Sequence, residues 1–160
     1  MRQVNALVTP ELRAEFDALC GRYPQRRAAL LPILHRVQDV HGWISRAAME
    51  EIADYLGIPP VEVQGVVSFY PMLRQEPAGR HIVSVCKNIS CDLLGCRELL
   101  AAIQGRFGVK PGETSGGGAF TLFAAQCLGA CGYGPMMDVD GTYHENLTPE
   151  AAVEILEKLR

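Results

Sequence analysis

Two close pairs of cysteines constrain this chain more than any other feature. Cys86 and Cys91 have four residues between them, and Cys127 and Cys131 have three. Thiolates that share a metal or cluster must converge from short, kinked stretches of backbone, so the fold has to bring two separate loops to one place. Each pair follows a segment that reads as a strand: His81-Ile82-Val83-Ser84-Val85 before Cys86, and Ala119 to Ala125 before Cys127. Strand ends are where open α/β sheets place their ligand sites. Six cysteines in 160 residues are too few for a disulfide scaffold of this size. Met1 to Pro10 shows no apolar segment followed by a cleavage site, so export is not expected. In a reduced compartment, clustered thiols bind metal or do redox chemistry.

Three chemistries compete for the four paired cysteines. Structural zinc favours Cys-x2-Cys knuckles, and neither pair has that spacing. A catalytic dithiol of the thioredoxin type uses Cys-x-x-Cys, which is absent. A [2Fe–2S] cluster takes four thiolates and tolerates a four-residue gap, so spacing alone favours it and leaves zinc as the rival from another class. Charge points the same way. An oxidised cluster with four thiolates carries about −2 and a reduced one about −3, which calls for N–H donors and positive potential. Asp92 follows Cys91 at a predicted helix start, Gly129, Gly132 and Gly134 let amides approach sulfur, and Lys87 adjoins Cys86. Cys96, five residues after Cys91, would stand about 140° away round a continuous helix and face elsewhere. Cys96 and Cys20 are therefore read as buried thiols.

The rest of the chain predicts an α+β protein in two parts. Residues 1–76 read as a helical bundle. Thr9-Pro10-Glu11 starts one helix, and Leu30, Leu34, Val37 and His41 stripe a second that stops at Gly42. Ser45 caps a third ending at Gly57, and Pro59-Pro60 opens a fourth. The polar Gln75-Glu76-Pro77-Ala78-Gly79 stretch marks the boundary. Residues 77–160 then give a strand, a helix from about Asp92 to Phe107, a second strand, a hairpin across Asp140-Gly141, and a helix opened by Thr148-Pro149. This order predicts a thioredoxin-like domain with a small mixed sheet. A net charge of −3 gives no general attraction to nucleic acid, and the most apolar window, residues 28–34, is too short to cross a bilayer.

Cys86-Lys87-Asn88-Ile89-Ser90-Cys91, and Gln126-Cys127-Leu128-Gly129-Ala130-Cys131 with Pro135 beyond, resemble the thioredoxin-like [2Fe–2S] ferredoxin family. Within it, the chain is most similar to the E-type, or 24-kDa-type, subunits of bacterial NADH:quinone oxidoreductase, respiratory complex I. That similarity includes Ala29 to Leu34 with Gln38 and Gly42, Gly65 to Tyr70, and Tyr143 to Thr148. The resemblance implies that Cys86, Cys91, Cys127 and Cys131 bind one [2Fe–2S] cluster. It implies an electron-transfer subunit whose neighbouring flavoprotein, of the F or 51-kDa type, holds FMN and binds NADH. Further peripheral-arm subunits and a cytoplasmic position on the inner face of the membrane, reached through the complex, are implied as well. The equivalent subunits of NAD-dependent formate dehydrogenases, NAD-reducing hydrogenases and bifurcating enzymes are the alternative.

The residues agree that this chain is not a complete enzyme. Gly129 to Gly134 runs G-x-x-G-x-G, not the dinucleotide-binding G-x-G-x-x-G, and no P-loop is present. Hydride chemistry needs a flavin to divide the pair of electrons, and nothing in the sequence supplies one. In the helical part, Phe69, Tyr70, Met72 and Leu73 suit either docking or core packing. His35 and His41 fall on different helical faces, while His81 and His144 read as strand-edge or surface residues.

Overall fold

The structure is a computed structural model that describes residues 7–159, so most of the stretch from Met1 to Pro10 lies outside the described residues. The chain divides after Pro77 into two compact units.

The first unit is all helix. In α1 (Pro10–Cys20), Thr9 Oγ1 accepts the Leu12 N–H at 3.3 Å, satisfying a donor that the helix leaves free. A 3₁₀ turn (Arg26–Ala29) leads into α2 (Leu30–His41). Pro32 falls in the first turn of α2, where its missing N–H costs no helical bond. Gly42, at φ +79°, ends it. Ser45 caps α3 (Arg46–Leu56), and Pro60 begins α4 (Pro60–Phe69). Phe16, Ile33, Leu34, Ile52 and Val63 are fully buried at the centre. Gln38 is buried as well, but satisfied: its amide donates to Met72 O at 2.9 Å and accepts the Arg74 N–H at 2.6 Å. That fastens the segment after α4 onto α2.

The second unit is built on a four-stranded mixed sheet in the order β2-β1-β3-β4. β1 (His81–Cys86) runs parallel to β2 (Phe120–Ala125) and antiparallel to β3 (Met137–Val139), which pairs with β4 (Thr142–His144). Asp140 and Gly141 both have positive φ, at 51° and 85°, as the tight two-residue hairpin expected at Asp-Gly requires. Val83, Val85, Leu122 and Val139 from the sheet share one buried core with Leu99, Ile103, Ala152 and Leu156 of the helices α6 (Cys96–Phe107) and α7 (Pro149–Glu157). The α+β class and the small mixed sheet are as the sequence predicts.

The helix expected from Asp92 to Phe107 is in fact two. A short α5 (Ile89–Leu93) stops at Leu94, Gly95 turns left-handed at φ +105°, and α6 begins at Cys96. A left-handed residue breaks the helical screw, so positions before and after Gly95 no longer follow the 100°-per-residue count.

Candidate metal centre

The two cysteine pairs leave the sheet side by side. Cys86 is the last residue of β1 and lies opposite Ala125, the last residue of its parallel neighbour β2. Cys127 follows two residues later. The two loops are laced together: the Lys87 N–H donates to Ala125 O at 2.9 Å, and the Asn88 side-chain amide donates to Gln126 O at 3.0 Å. Asn88 also caps α5, its Oδ1 accepting the Ile89 N–H at 2.9 Å. α5 thus hangs from the same residue that joins the loops, and carries Cys91 inward.

Cys86 and Cys91 are 2% and 1% exposed and pack in a small buried group with Met136. Burial is the main reason that the Cys91 thiol is pushed up to about 11, with the adjacent Cys86 adding to it. Such a thiol ionises only beside a compensating positive charge, as a ferric ion supplies. Cys127 and Cys131 are exposed. Cys127 Sγ accepts the Gly129 N–H at 3.3 Å, with Gly129 at φ +81°. Cys131 opens a 3₁₀ turn (Cys131–Tyr133) that packs against α5. Gly134 shows how close the approach is: a Cβ there would stand 3.1 Å from Cys91 Sγ and 3.2 Å from Leu94 Cδ1. Glycine there lets the second loop lie against the first without displacing Cys91 or Leu94.

Among the described residues, no three His, Cys, Asp or Glu side chains converge as ligands of one ion. A tetrahedral zinc site needs its donors round a single point. A [2Fe–2S] core takes two thiolates on each iron, so its donors come as two separated pairs. One buried pair beside one loop of exposed thiols, with an amide already aimed at sulfur, fits that donor set.

Cys96 is not where the sequence placed it. It is buried, as expected of a core thiol, but in the same group as Cys86 and Cys91, because the turn at Gly95 folds the start of α6 back onto that pocket. Its Sγ donates to Asp92 Oδ1 at 3.7 Å, and Asp92 is held by Arg97 through bonds of 2.6 and 2.7 Å. The guanidinium keeps the Asp92 carboxyl below the usual carboxylate range. Cys20 lies in the core of the first unit. His41 bonds Leu7 O at 2.9 Å and His81 pairs with Asp140 at 2.6 Å. Lys87 is exposed.

Sequence reasoning missed the residues that brace the second loop. The Tyr143 hydroxyl donates to Leu128 O at 2.7 Å, the Asn146 N–H donates to Tyr133 O at 2.8 Å, and the Leu147 N–H donates to Pro135 O at 2.9 Å. Asn88 had a readable signal, an Asn just ahead of a helix start. The bracing by Tyr143 and Asn146 had none, because nothing local in sequence links them to residues 128–135. Of the proposed docking residues, Phe69 and Met72 are exposed, whereas Leu73 is part of the helical core.

Residues 16–160 match the family described as thioredoxin-like [2Fe–2S] ferredoxin. The E 2 subunit of NADH-quinone oxidoreductase from Rhizobium meliloti (strain 1021) is 40% identical over 149 residues, 93% of this chain and 89% of the relative. The E subunit of NADH-quinone oxidoreductase from Escherichia coli (strain K12) is 41% identical over 138 residues, 86% of this chain and 83% of the relative. Among solved structures, an NAD+-reducing [NiFe]-hydrogenase in the H2-reduced state shares the fold, with a TM-score of 0.71 at 21% identity. That match covers 81% of this chain and 22% of the hydrogenase chain.

Proposed function

Given that this chain belongs to the thioredoxin-like [2Fe–2S] ferredoxin family, we propose that it is the E-type electron-transfer subunit of an NADH:quinone oxidoreductase, working beside a flavoprotein subunit that holds FMN and binds NADH. The observation that carries this is the juxtaposition of both cysteine pairs at the ends of two neighbouring parallel strands, in a chain similar to an E-type subunit along 93% of its length.

Cys86, Cys91, Cys127 and Cys131 are the proposed residues that would hold one [2Fe–2S] cluster, the buried pair from one loop and the exposed pair from the other. A bound [2Fe–2S] cluster accepts and returns a single electron, which is what a flavin reduced by hydride must pass on. The chain's own residues prepare the place. The buried position of Cys86 and Cys91 keeps water from one side, the Gly129 amide offers a hydrogen bond to Cys127 sulfur, and Gly134 leaves room against Cys91. Asn88 and Tyr143 hold the two loops in place. No helix among the described residues is long and apolar enough to cross a membrane. Attachment to the inner face of the membrane is through the other subunits of the peripheral arm.

Anaerobic purification tests the reading. Iron and acid-labile sulfide in equal amounts, with an EPR signal that appears only on reduction, are the expected result. Zinc without sulfide would sink it. Co-purification with a flavoprotein of NADH:quinone oxidoreductase, as opposed to that of a formate dehydrogenase or hydrogenase, identifies the complex.

A further inference from the structure

The Tyr143 hydroxyl and the Cys127 sulfur are bonded to opposite ends of one peptide unit. Tyr143 donates to Leu128 O at 2.7 Å, and the Gly129 N–H, which belongs to the same peptide plane, donates to Cys127 Sγ at 3.3 Å. A trans peptide is planar and its C=O and N–H point in opposite directions, so fixing the carbonyl fixes where the N–H is aimed. The tyrosine reaches this peptide from outside the loop. It stands on β4, paired with Asp138 of β3, and is 15 residues along the chain from Leu128. The Leu128 side chain packs against the buried group of Cys86, Cys91, Cys96 and Met136. That packing anchors the side chain but leaves the peptide after it free to turn, and the hydroxyl supplies the missing restraint. Gly129, at φ +81°, has no side chain to resist such a turn, so the hold has to come from elsewhere. A hydrogen bond into a carbonyl also polarises the amide and strengthens the bond that its N–H donates.

We propose that Tyr143 is a positioning residue for the redox site, setting through the Leu128–Gly129 peptide how strongly an amide N–H is presented to the Cys127 sulfur. The proposal rests on the functional reading above, in which Cys127 helps to hold a [2Fe–2S] cluster. One added electron takes such a site from about −2 to about −3, and part of that charge resides on the thiolate sulfurs. An N–H donor on sulfur stabilises the reduced state more than the oxidised one, so it raises the reduction potential. Tyr143 acts on the far end of the peptide, through the orientation and polarisation of the amide. This separates it from a residue that only braces the loop. Bracing depends on the shape of the side chain, whereas action through the amide is graded by the strength of the phenol as a donor.

The experiment is an EPR-monitored redox titration, with dithionite as reductant, of three loaded full-length proteins: wild type, Tyr143→Phe and Tyr143→3-fluorotyrosine. Iron and sulfide are measured in each. Fluorine nearly preserves the shape of the ring and makes the hydroxyl a stronger donor, and a slightly acidic buffer keeps its proton in place. Tyr143→Phe should titrate at a lower potential than wild type, so that at the wild-type midpoint the ratio of reduced to oxidised cluster falls about two-fold or more. The fluorotyrosine variant should titrate at a higher potential than wild type. Equal potentials in the three loaded proteins overturn the proposal, as does a higher potential in Tyr143→Phe. A lower potential in Tyr143→Phe with the fluorotyrosine variant at or below the wild-type value also overturns it, because that is the pattern of bracing alone. Should Tyr143→Phe load poorly, the fluorotyrosine variant, which keeps the hydrogen bond, decides by the same criterion. Failure of the functional reading looks different, since the wild-type protein itself would then lack iron and sulfide and give no EPR signal on reduction.

Discussion

The amide of Gly129 donates to Sγ of Cys127 at 3.3 Å, while Gly129 itself stands at φ +81°. The direction of that N–H is set by the peptide plane between Leu128 and Gly129, and the left-handed backbone at Gly129 then turns the chain on toward Cys131, so a change of conformation here pulls on that plane. A Cβ at Gly129 would meet nothing within 4 Å, so Gly129→Ala tests conformation and not space. The cost of holding alanine there is about 1 kcal/mol. If the loop relaxes, the hydrogen bond is lost and extra negative charge on sulfur is stabilised less. Gly129→Ala should therefore hold a cluster with a lower reduction potential than wild type, read by EPR-monitored redox titration. An unchanged potential would show that this amide does not act on the cluster.

Cys127→Ser and Cys96→Ser separate a proposed ligand from a neighbouring thiol. Replacing Cys127 should weaken or remove the cluster, seen as lost iron and visible absorbance. Replacing Cys96 should leave both nearly intact, because a serine hydroxyl can donate to Asp92 as the thiol does at 3.7 Å. The comparison is stringent, since Cys96 is buried beside Cys86 and Cys91 and Cys127 is exposed. Iron lost from the Cys96 variant alone would overturn the ligand assignment.

The elements and the site differ in how far they can be read from sequence. Thr9, Ser45 and Thr148 each announce a helix start, and Asp140-Gly141 announces a hairpin, because caps and tight turns are short-range devices. The Cys86 and Cys127 pairs could be placed at strand ends for the same reason. Cys96 could not be placed, because its position depends on whether Gly95 continues a helix or turns left-handed, and glycine permits both. The hold of Tyr143 on Leu128 and of Asn146 on Tyr133 is long-range, set by where β4 ends relative to the second loop. Pairwise contacts of that kind have no local pattern to reveal them.

Gly79 sits where the second unit begins, and its N–H donates to Thr121 Oγ1 at 2.7 Å. A Cβ at this position would come within 2.8 Å of Phe120 Cα and 2.7 Å of its carbonyl carbon. The obstacle is the backbone of β2, which cannot rotate aside as a side chain would. Gly79→Ala should cost about 2 kcal/mol of stability through forced backbone movement. Urea unfolding followed by circular dichroism checks it; a midpoint equal to that of wild type would mean that the segment shifts freely.

Asp138 gives the pH-dependent case. Its Oδ1 is buried without a hydrogen-bond partner, and burial is the largest cause raising its pKa above the ordinary carboxylate value. The Gly141 amide and His144 offset this, while the charge of Asp140 adds to it. A carboxyl whose folded pKa is raised binds its proton more tightly in the folded state than in the unfolded one. The penalty for ionising it is fully present above the folded pKa and fades as pH falls through that value toward the ordinary carboxylate range. Asp138→Asn removes the charge and nearly preserves the shape. It should stabilise the protein at neutral pH by about 1 kcal/mol, with the gain shrinking steadily as the solution is acidified. Thermal melts of both proteins from pH 8 down into the ordinary carboxylate range measure the difference. A gain that stays constant or grows toward acid would show that the carboxylate is ionised without penalty in the fold.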